Sequence, residues 1–268
     1  MSSYATDGAA LERARPLRFR VRSALRSVAL RARGAFPRER RDGIRVVHYH
    51  YVFDDERERF AGQLAFLRRE FRPVPLSEAV DRLRTGRTEG DEVVVTFDDG
   101  FRNQLENAAP ILAEQGFSAC FFLVTGFVGA SEDEVRRFCR ERFHLPLPVE
   151  PIDWAGVERL LELGHEVGSH TRTHLDLTSI EPARLLDELL SSREELCRRL
   201  GNVEHFSAPY GERSRFSDAI SDAAGGAGYE SCATAIRGVN TSALDVYRLQ
   251  RDHLSARWPV RDLAYFLA

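Results

Sequence analysis

The chain has 268 residues, 43% of them hydrophobic and 29% charged, which is enough to bury a full core in one large α/β domain or in two small ones. The formal net charge of -3 conceals an asymmetry, because residues 1–43 contain 11 Arg against four acidic residues and the remainder is therefore acidic. An acidic body has no basic face for phosphates, which argues against nucleic acid as a partner, and the absence of Lys excludes lysine Schiff-base chemistry.

Residues 1–43 are predicted to form a basic extension to a folded domain at 44–268. Residues 1–16 show no ordered pattern, whereas residues 17–33 place apolar residues and Arg with the spacing of an amphipathic helix. Such a helix would contact an anionic membrane surface peripherally, or would instead extend into solvent or pack on the acidic body. The sequence shows neither a signal-peptide core nor a run of about 20 apolar residues, so we expect a cytoplasmic protein, associated with the inner face of the membrane if this helix binds lipid.

From Ile44 onward, strand-like and helix-like patterns alternate. Strand-like runs occupy residues 44–51, 93–97, 119–125, 166–169, 205–208, 230–234 and 246–250. Helical patterns occupy residues 56–70, 76–84, 102–115, 153–163, 181–200, 213–224 and 258–267. This alternation is typical of parallel strands joined by crossovers, and about seven such units predict an α/β fold with a closed or nearly closed barrel. Residues 126–151, with three Pro, are predicted to form an excursion over one face of that barrel.

Two adjacent carboxylates, Asp98 and Asp99, follow the apolar strand 93–97 and precede Gly100. Chemistry collects at the carboxyl ends of parallel strands, and neighbouring carboxylates resist burial unless a metal or an arginine compensates them. The alternative is a plain turn in which one Asp caps the following helix. Because successive side chains on a strand point to opposite faces, we expect different roles for the two carboxylates.

Histidines stand at two other strand ends. His48 and His50 share one face of the first strand, where a hydrogen-bonded core histidine is the alternative to a functional one. His170 and His174 follow the fourth strand, and their spacing brings them together if the strand runs into a helical turn. Two His and one Asp from a neighbouring strand end would form a metal site with open positions, which is the pattern of catalytic rather than structural sites.

Three motifs carry a resemblance to a known family. They are TFDDG at 96–100, SHTRTH at 169–174 and APYG at 208–211, and in this order they resemble the polysaccharide deacetylases with a NodB homology domain, carbohydrate esterase family 4. Tyr49-His50 and the helices over 60–83 resemble the branch that includes the poly-N-acetylglucosamine deacetylases. The resemblance covers residues 44–268 and implies a distorted (β/α)7 barrel of the NodB homology type.

Carried onto this sequence, the resemblance implies that Asp98 is the general base and that Asp99, His170 and His174 bind a divalent metal. Zn²⁺ is the expected ion, with Co²⁺ or Ni²⁺ as alternatives. The metal would polarise the acetyl carbonyl and a bound water, and Asp98 would accept the proton of that water. The backbone N–H of Tyr210 would help to stabilise the resulting oxyanion.

The general acid has two candidates, His50 and His253. The resemblance favours His50, because the Tyr-His pair at the end of the first strand belongs to the pattern of this branch, whereas the Asp-Trp motif that orients a late histidine in chitin-deacetylase-like members is not recognisable. Pro209, Tyr210 and Trp154 are predicted to contact the substrate.

The third motif departs from the family pattern at Ser207, where an arginine that pairs with the base usually stands. The base is then held differently, or Arg251 supplies the charge.

The predicted function is a metal-dependent hydrolase that removes acetyl from an N-acetylated amino sugar, with a polysaccharide or a lipid-linked or nucleotide-linked sugar as substrate. O-deacetylation and deformylation are alternatives of the same chemistry. A degenerate carbohydrate-binding domain without turnover is an alternative of another class, and a structural barrel in which Asp98 and Asp99 only cap a helix is a third.

Overall fold

Parallel strands form a nearly closed barrel in the computed structural model, which describes residues 4–16, 43–243 and 245–267. The strands are β1 (Gly43–Tyr49), β2 (Arg72–Pro73), β3 (Asp91–Phe97), β4 (Ala119–Leu123), β5 (Glu166–Ser169), β6 (His205–Ser207), β7 (Ser231–Ala233) and β8 (Arg251–His253). Seven of them follow one another in the order β7-β6-β5-β4-β3-β1-β8, and the short β2 pairs with β3 off this path. The predicted α/β barrel is therefore confirmed.

Helices connect these strands. They are α1 (Gly8–Ala14), α2 (Arg57–Glu70), α3 (Leu76–Thr85), α4 (Ala109–Glu114), α5 (Glu132–Glu141), α6 (Trp154–Glu162), α7 (Pro182–Leu200), α8 (Asp218–Gly226) and α9 (Val260–Leu267), and a wider helical turn over Gln104–Ala108 leads into α4. None of the helices in the described part of the chain is long and apolar enough to cross a membrane.

The two ends of the sheet meet at Leu249, just before β8. Its N–H donates to the Cys232 carbonyl at 3.0 Å, and its carbonyl accepts the N–H of Thr234 at 2.8 Å. These bonds join β7 to the segment that enters β8 and nearly close the barrel. The closure places the first residue of β8, Arg251, across the barrel from the end of β3.

The strand predicted at 246–250 is displaced in the structure. Val246–Arg248 form a 3-10 turn instead, because the Asp245 carboxylate accepts the Tyr247 N–H at 2.9 Å and starts a helical turn. The extended segment is Arg251–His253. The prediction at 246–250 was therefore wrong by a few residues.

The N-terminal segment and the excursion pack together. Residues 1–16 were predicted to be without order, but α1 packs on the domain through the buried Leu11. The Asp55 carboxylate accepts hydrogen bonds from the N–H groups of Gly8 at 2.9 Å and Ala9 at 3.1 Å, at the start of this helix. Leu11 shares an apolar cluster with Phe138 of α5, a helix within 126–151 that was not predicted. The amphipathic helix predicted at 17–33, with its membrane contact, lies outside the described residues.

Candidate metal centre and active site

Asp99, His170 and His174 converge at the carboxyl ends of β3 and β5. The Asp99 Oδ1 atom lies 3.6 Å from Nε2 of His170 and 3.4 Å from Nε2 of His174. All three side chains are buried, and their ligand atoms lie within 4.8 Å of one another. Asp99 has a left-handed backbone with φ 78°, which turns the chain at the strand end.

The loop after β5 brings the two histidines together without a helical turn, so the predicted route to their convergence was wrong. Thr171 and His174 have left-handed φ values of 65° and 53°. The Thr171 hydroxyl accepts the His174 N–H at 3.0 Å, which fixes the return of the loop. Nδ1 of His170 lies 2.7 Å from the Ser207 carbonyl. Because a carbonyl only accepts, Nδ1 carries the proton and Nε2 keeps a lone pair facing Asp99.

Glu188 of α7 holds this loop from the outside. Its buried carboxylate accepts the N–H groups of Arg172 at 3.1 Å and Thr173 at 2.8 Å, and the Thr173 hydroxyl at 2.6 Å. Glu188 was not predicted as a functional residue. The available signal was a charged residue on the apolar face of a helix, next to Leu185 and Leu189 in helical spacing.

The triad has the donor set and the electrostatics of a divalent-metal site. Burial raises the pKa of Asp99 well above its usual range, and the charge of Asp98 adds to this shift. Asp99 therefore needs a nearby cation to be ionised. Burial lowers the pKa of His170 to about 4 and that of His174 well below its usual range, which keeps both imidazoles neutral and able to coordinate. Asp99 Oδ1, which faces Nε2 of both histidines, is buried without a hydrogen-bond partner, as expected of an atom that awaits a ligand. One carboxylate and two imidazoles fit a transition-metal ion with open positions.

Asp98 is held by Arg251 rather than by the triad. The guanidinium donates to Oδ1 and Oδ2 of Asp98, both at 2.8 Å, and also to the Ser207 hydroxyl at 2.8 Å. Burial raises the pKa of Asp98, but the charge and hydrogen bonds of Arg251, together with the nearby His170, outweigh burial and hold the pKa well below its usual range. Arg251 therefore supplies the charge that Ser207 cannot.

The two candidate acids, His50 and His253, lie side by side. Their ring centroids are 5.3 Å apart, and that of His48 is 5.6 Å from His50 and 5.0 Å from His253. Gln104, which the sequence analysis did not single out, donates to the carbonyls of His50 and Asp98, both at 2.6 Å, and so ties the ends of β1 and β3 together. The choice of His50 over His253 stays a prediction.

Of the predicted substrate contacts, Tyr210 lies beside the triad, with its ring centroid 4.9 Å from that of His174. Its hydroxyl donates to the Arg142 carbonyl at 2.7 Å, and Pro209 precedes it in the same turn. The Trp154 ring instead packs under the guanidinium of Arg199 at 4.2 Å, a contact with α7 rather than with the loops that carry the triad. A substrate contact of Trp154 stays a prediction.

Known proteins share both the sequence pattern and the fold. A curated chitooligosaccharide deacetylase of Bradyrhizobium sp. (strain ANU 289) is 27% identical over 144 residues, which is 51% of this chain and 56% of that protein. The chain spans about half the length of the curated relatives it matches.

Two solved structures share the fold. IcaB from Ammonifex degensii has a TM-score of 0.71 at 24% identity and covers 85% of this chain and 99% of its own. The Streptococcus pyogenes deacetylase PplD in complex with acetate has a TM-score of 0.70 at 19% identity and covers 84% of this chain and 98% of its own.

The family model of the polysaccharide deacetylases matches residues 85–231, more than half of the chain. The matched stretch contains Asp98, Asp99, His170 and His174, so the family predicted from three motifs is confirmed. The chain belongs to the polysaccharide deacetylase family, carbohydrate esterase family 4.

Proposed function

We propose that this protein is a metal-dependent deacetylase that hydrolyses the acetamido group of an N-acetylated amino sugar, in a polysaccharide or in a lipid-linked or nucleotide-linked intermediate. The observation that carries the proposal is the division of two adjacent carboxylates. Asp98 is paired with Arg251, and Asp99 faces two neutral imidazoles. A general base and a metal ligand thus stand next to each other at one strand end.

Asp99, His170 and His174 would hold the ion, and their nitrogen-rich donor set favours Zn²⁺. When bound, a divalent metal supplies Lewis-acid polarisation of a carbonyl and a lowered pKa of water. The ionised Asp98 accepts the proton of the attacking water, because Arg251 keeps its carboxylate unprotonated.

The leaving amine needs a proton, and His50 is the proposed donor. Burial lowers the pKa of His50, and the charge of Asp98 opposes part of this shift. Tyr210 adopts a left-handed backbone with φ 61° beside His174, and we assign its N–H to the developing oxyanion.

The test is acetate release from N-acetylglucosamine oligomers by the protein reconstituted with Zn²⁺ or Co²⁺. We expect turnover by the wild type and loss of at least about 100-fold in Asp98→Asn. O-acetylated and N-formylated sugars assayed in parallel separate O-deacetylation and deformylation from N-deacetylation. Binding of the oligomers without acetate release under all metal conditions would contradict the proposal and favour a binding domain without turnover.

A further inference from the structure

We propose that His48, His50 and His253 form a second divalent-metal site next to the triad, and that an ion bound there inhibits the enzyme. The inhibitory part rests on the proposed function, because it takes His50 as the proton donor. In the described part of the chain, two sets of three or more His, Cys, Asp or Glu side chains have ligand atoms within 4.8 Å of one another, and they are this cluster and the triad.

Sheet geometry places the three imidazoles on one face. His48 and His50 are two residues apart at the end of β1, so their side chains point to the same side. His48 and His253 are register partners in the parallel pair β1 and β8, and register partners share a face. Two of the three donors therefore come from paired strands of the barrel, whose positions are fixed by the sheet.

The ring separations fit coordination of a single ion. A zinc–nitrogen distance of about 2.0–2.1 Å with tetrahedral angles places two coordinating imidazole centroids about 5 Å apart. The three separations in the cluster are 5.0, 5.3 and 5.6 Å. The separation of His170 and His174 in the triad is also 5.0 Å.

The cluster is buried on the side of His48 and open to solvent on the side of His253. His48 is buried, and its Nδ1 has no hydrogen-bond partner, whereas His50 is half-buried and His253 is exposed. An ion can therefore enter past the exposed His253 and reach the buried imidazole of His48. The nearby positive charge of Arg251 is offset by its two bonds to Asp98.

Three imidazoles without a carboxylate favour a transition-metal ion such as Zn²⁺, Ni²⁺ or Cu²⁺ over Mg²⁺ or Ca²⁺. The triad adds the negative charge of Asp99, so it should fill first. The second site should fill only when metal exceeds one equivalent. An imidazole that coordinates an ion cannot deliver a proton through the same nitrogen, so occupancy removes the proposed function of His50.

Zinc binding by a variant without the first site tests the proposal directly. In Asp99→Ala/His174→Ala, equilibrium dialysis with Zn²⁺ at pH 7.5 should show one remaining equivalent. That equivalent should be lost on adding His48→Asn and, separately, His253→Asn. It should persist on adding His165→Asn, which removes a buried imidazole just before β5, outside both clusters. Circular dichroism establishes that each variant is folded.

No bound equivalent in the double variant, or one that survives both His48→Asn and His253→Asn, would overturn the second site. Acetate release at one and two equivalents of Zn²⁺ tests inhibition. The wild type should lose at least half of its rate at two equivalents, and His48→Asn should keep the same rate at both. Equal loss in His48→Asn would overturn the inhibitory role. Two bound equivalents without any acetate release would support the site and contradict the proposed function instead.

Discussion

Arg251 gives two adjacent carboxylates different properties. It makes two hydrogen bonds to Asp98, while Asp99 turns on a left-handed backbone towards the two histidines. The alternation of side chains predicted different roles for the pair, and the sequence offered Arg251 as a replacement for the missing arginine at 207. That Ser207 accepts a hydrogen bond from Arg251 was not predictable, because this contact depends on how the barrel closes.

Replacing Arg251 with Lys should weaken turnover and shift its pH dependence. Arg251 lowers the pKa of Asp98, and Asp98 acts when ionised, so activity falls as pH drops through that pKa. Lysine cannot reproduce the two-pronged contact, so the pKa should rise. The acidic limb of kcat/KM should move to higher pH, and kcat should fall about 10-fold or more.

The matched control is Arg237→Lys. Arg237 is 48% exposed and pairs at 2.9 Å with Asp252, the neighbour of Arg251 on β8. It should leave the pH profile of kcat/KM unchanged. An acidic limb that does not move in Arg251→Lys would show that Arg251 does not set the charge of Asp98.

At the scale of elements, the site depends on a loop that helix α7 holds through Glu188. The histidines of the loop were predictable from their spacing after a strand, but its path was not. The left-handed conformation of Thr171 has no signature in its residue type, since β-branched residues rarely adopt such backbone. Glu188 supplies the missing constraint from α7.

Substituting Glu188 with Gln should loosen the metal site. The variant loses the charged acceptor of two N–H groups and of the Thr173 hydroxyl, so His170 and His174 should be less firmly oriented. Groups that position metal ligands without touching the metal are worth about 10- to 100-fold in metal affinity. Competition with a chromogenic chelator measures the affinity. Asp187→Asn, at a half-exposed neighbouring position on α7, is the control, and equal affinities in all three proteins would contradict the bracing role.

Helix α5 shows why the excursion was not resolved from the sequence. Three Pro in residues 126–151 dominated the pattern, yet Ser131 and Glu134 form a capping box, in which the Glu134 carboxylate accepts the Ser131 N–H at 3.0 Å. A Ser followed three residues later by a Glu is the signal that would have found the helix.

At the scale of the whole molecule, the barrel was predictable because its strands alternate with helices, whereas the docking of α1 was not. The interface between α1 and the barrel domain includes the buried Glu56, which lies against Gly8. Its carboxylate accepts a hydrogen bond from the Phe53 N–H at 3.0 Å. A Cβ at Gly8 would clash with Glu56 Oε1, so a larger residue there would require the Glu56 carboxylate to move.

Glu56 should make the folded protein less stable at high pH. Burial raises its pKa to about 7, above the ordinary value of 4.5, so the contribution of the protonated form is present below pH 4.5 and is lost as pH rises through 7. Relative to Glu56→Gln, the wild type should lose roughly 2 kcal/mol in the free energy of unfolding between pH 5 and pH 8. Urea denaturation at the two pH values measures this difference. Glu58→Gln, at an exposed position on α2, should show none, and parallel behaviour of Glu56→Gln and the wild type would refute the assignment.

The proposed mechanism separates metal binding from proton transfer between two neighbouring carboxylates. Its most direct test measures both Zn²⁺ affinity, by chelator competition, and acetate release in Asp98→Asn and Asp99→Asn. We predict that Asp98→Asn binds the tighter ion with wild-type affinity but loses at least about 100-fold in acetate release. Asp99→Asn should lose both. Wild-type acetate release by Asp98→Asn, or wild-type metal affinity in Asp99→Asn, would contradict the account.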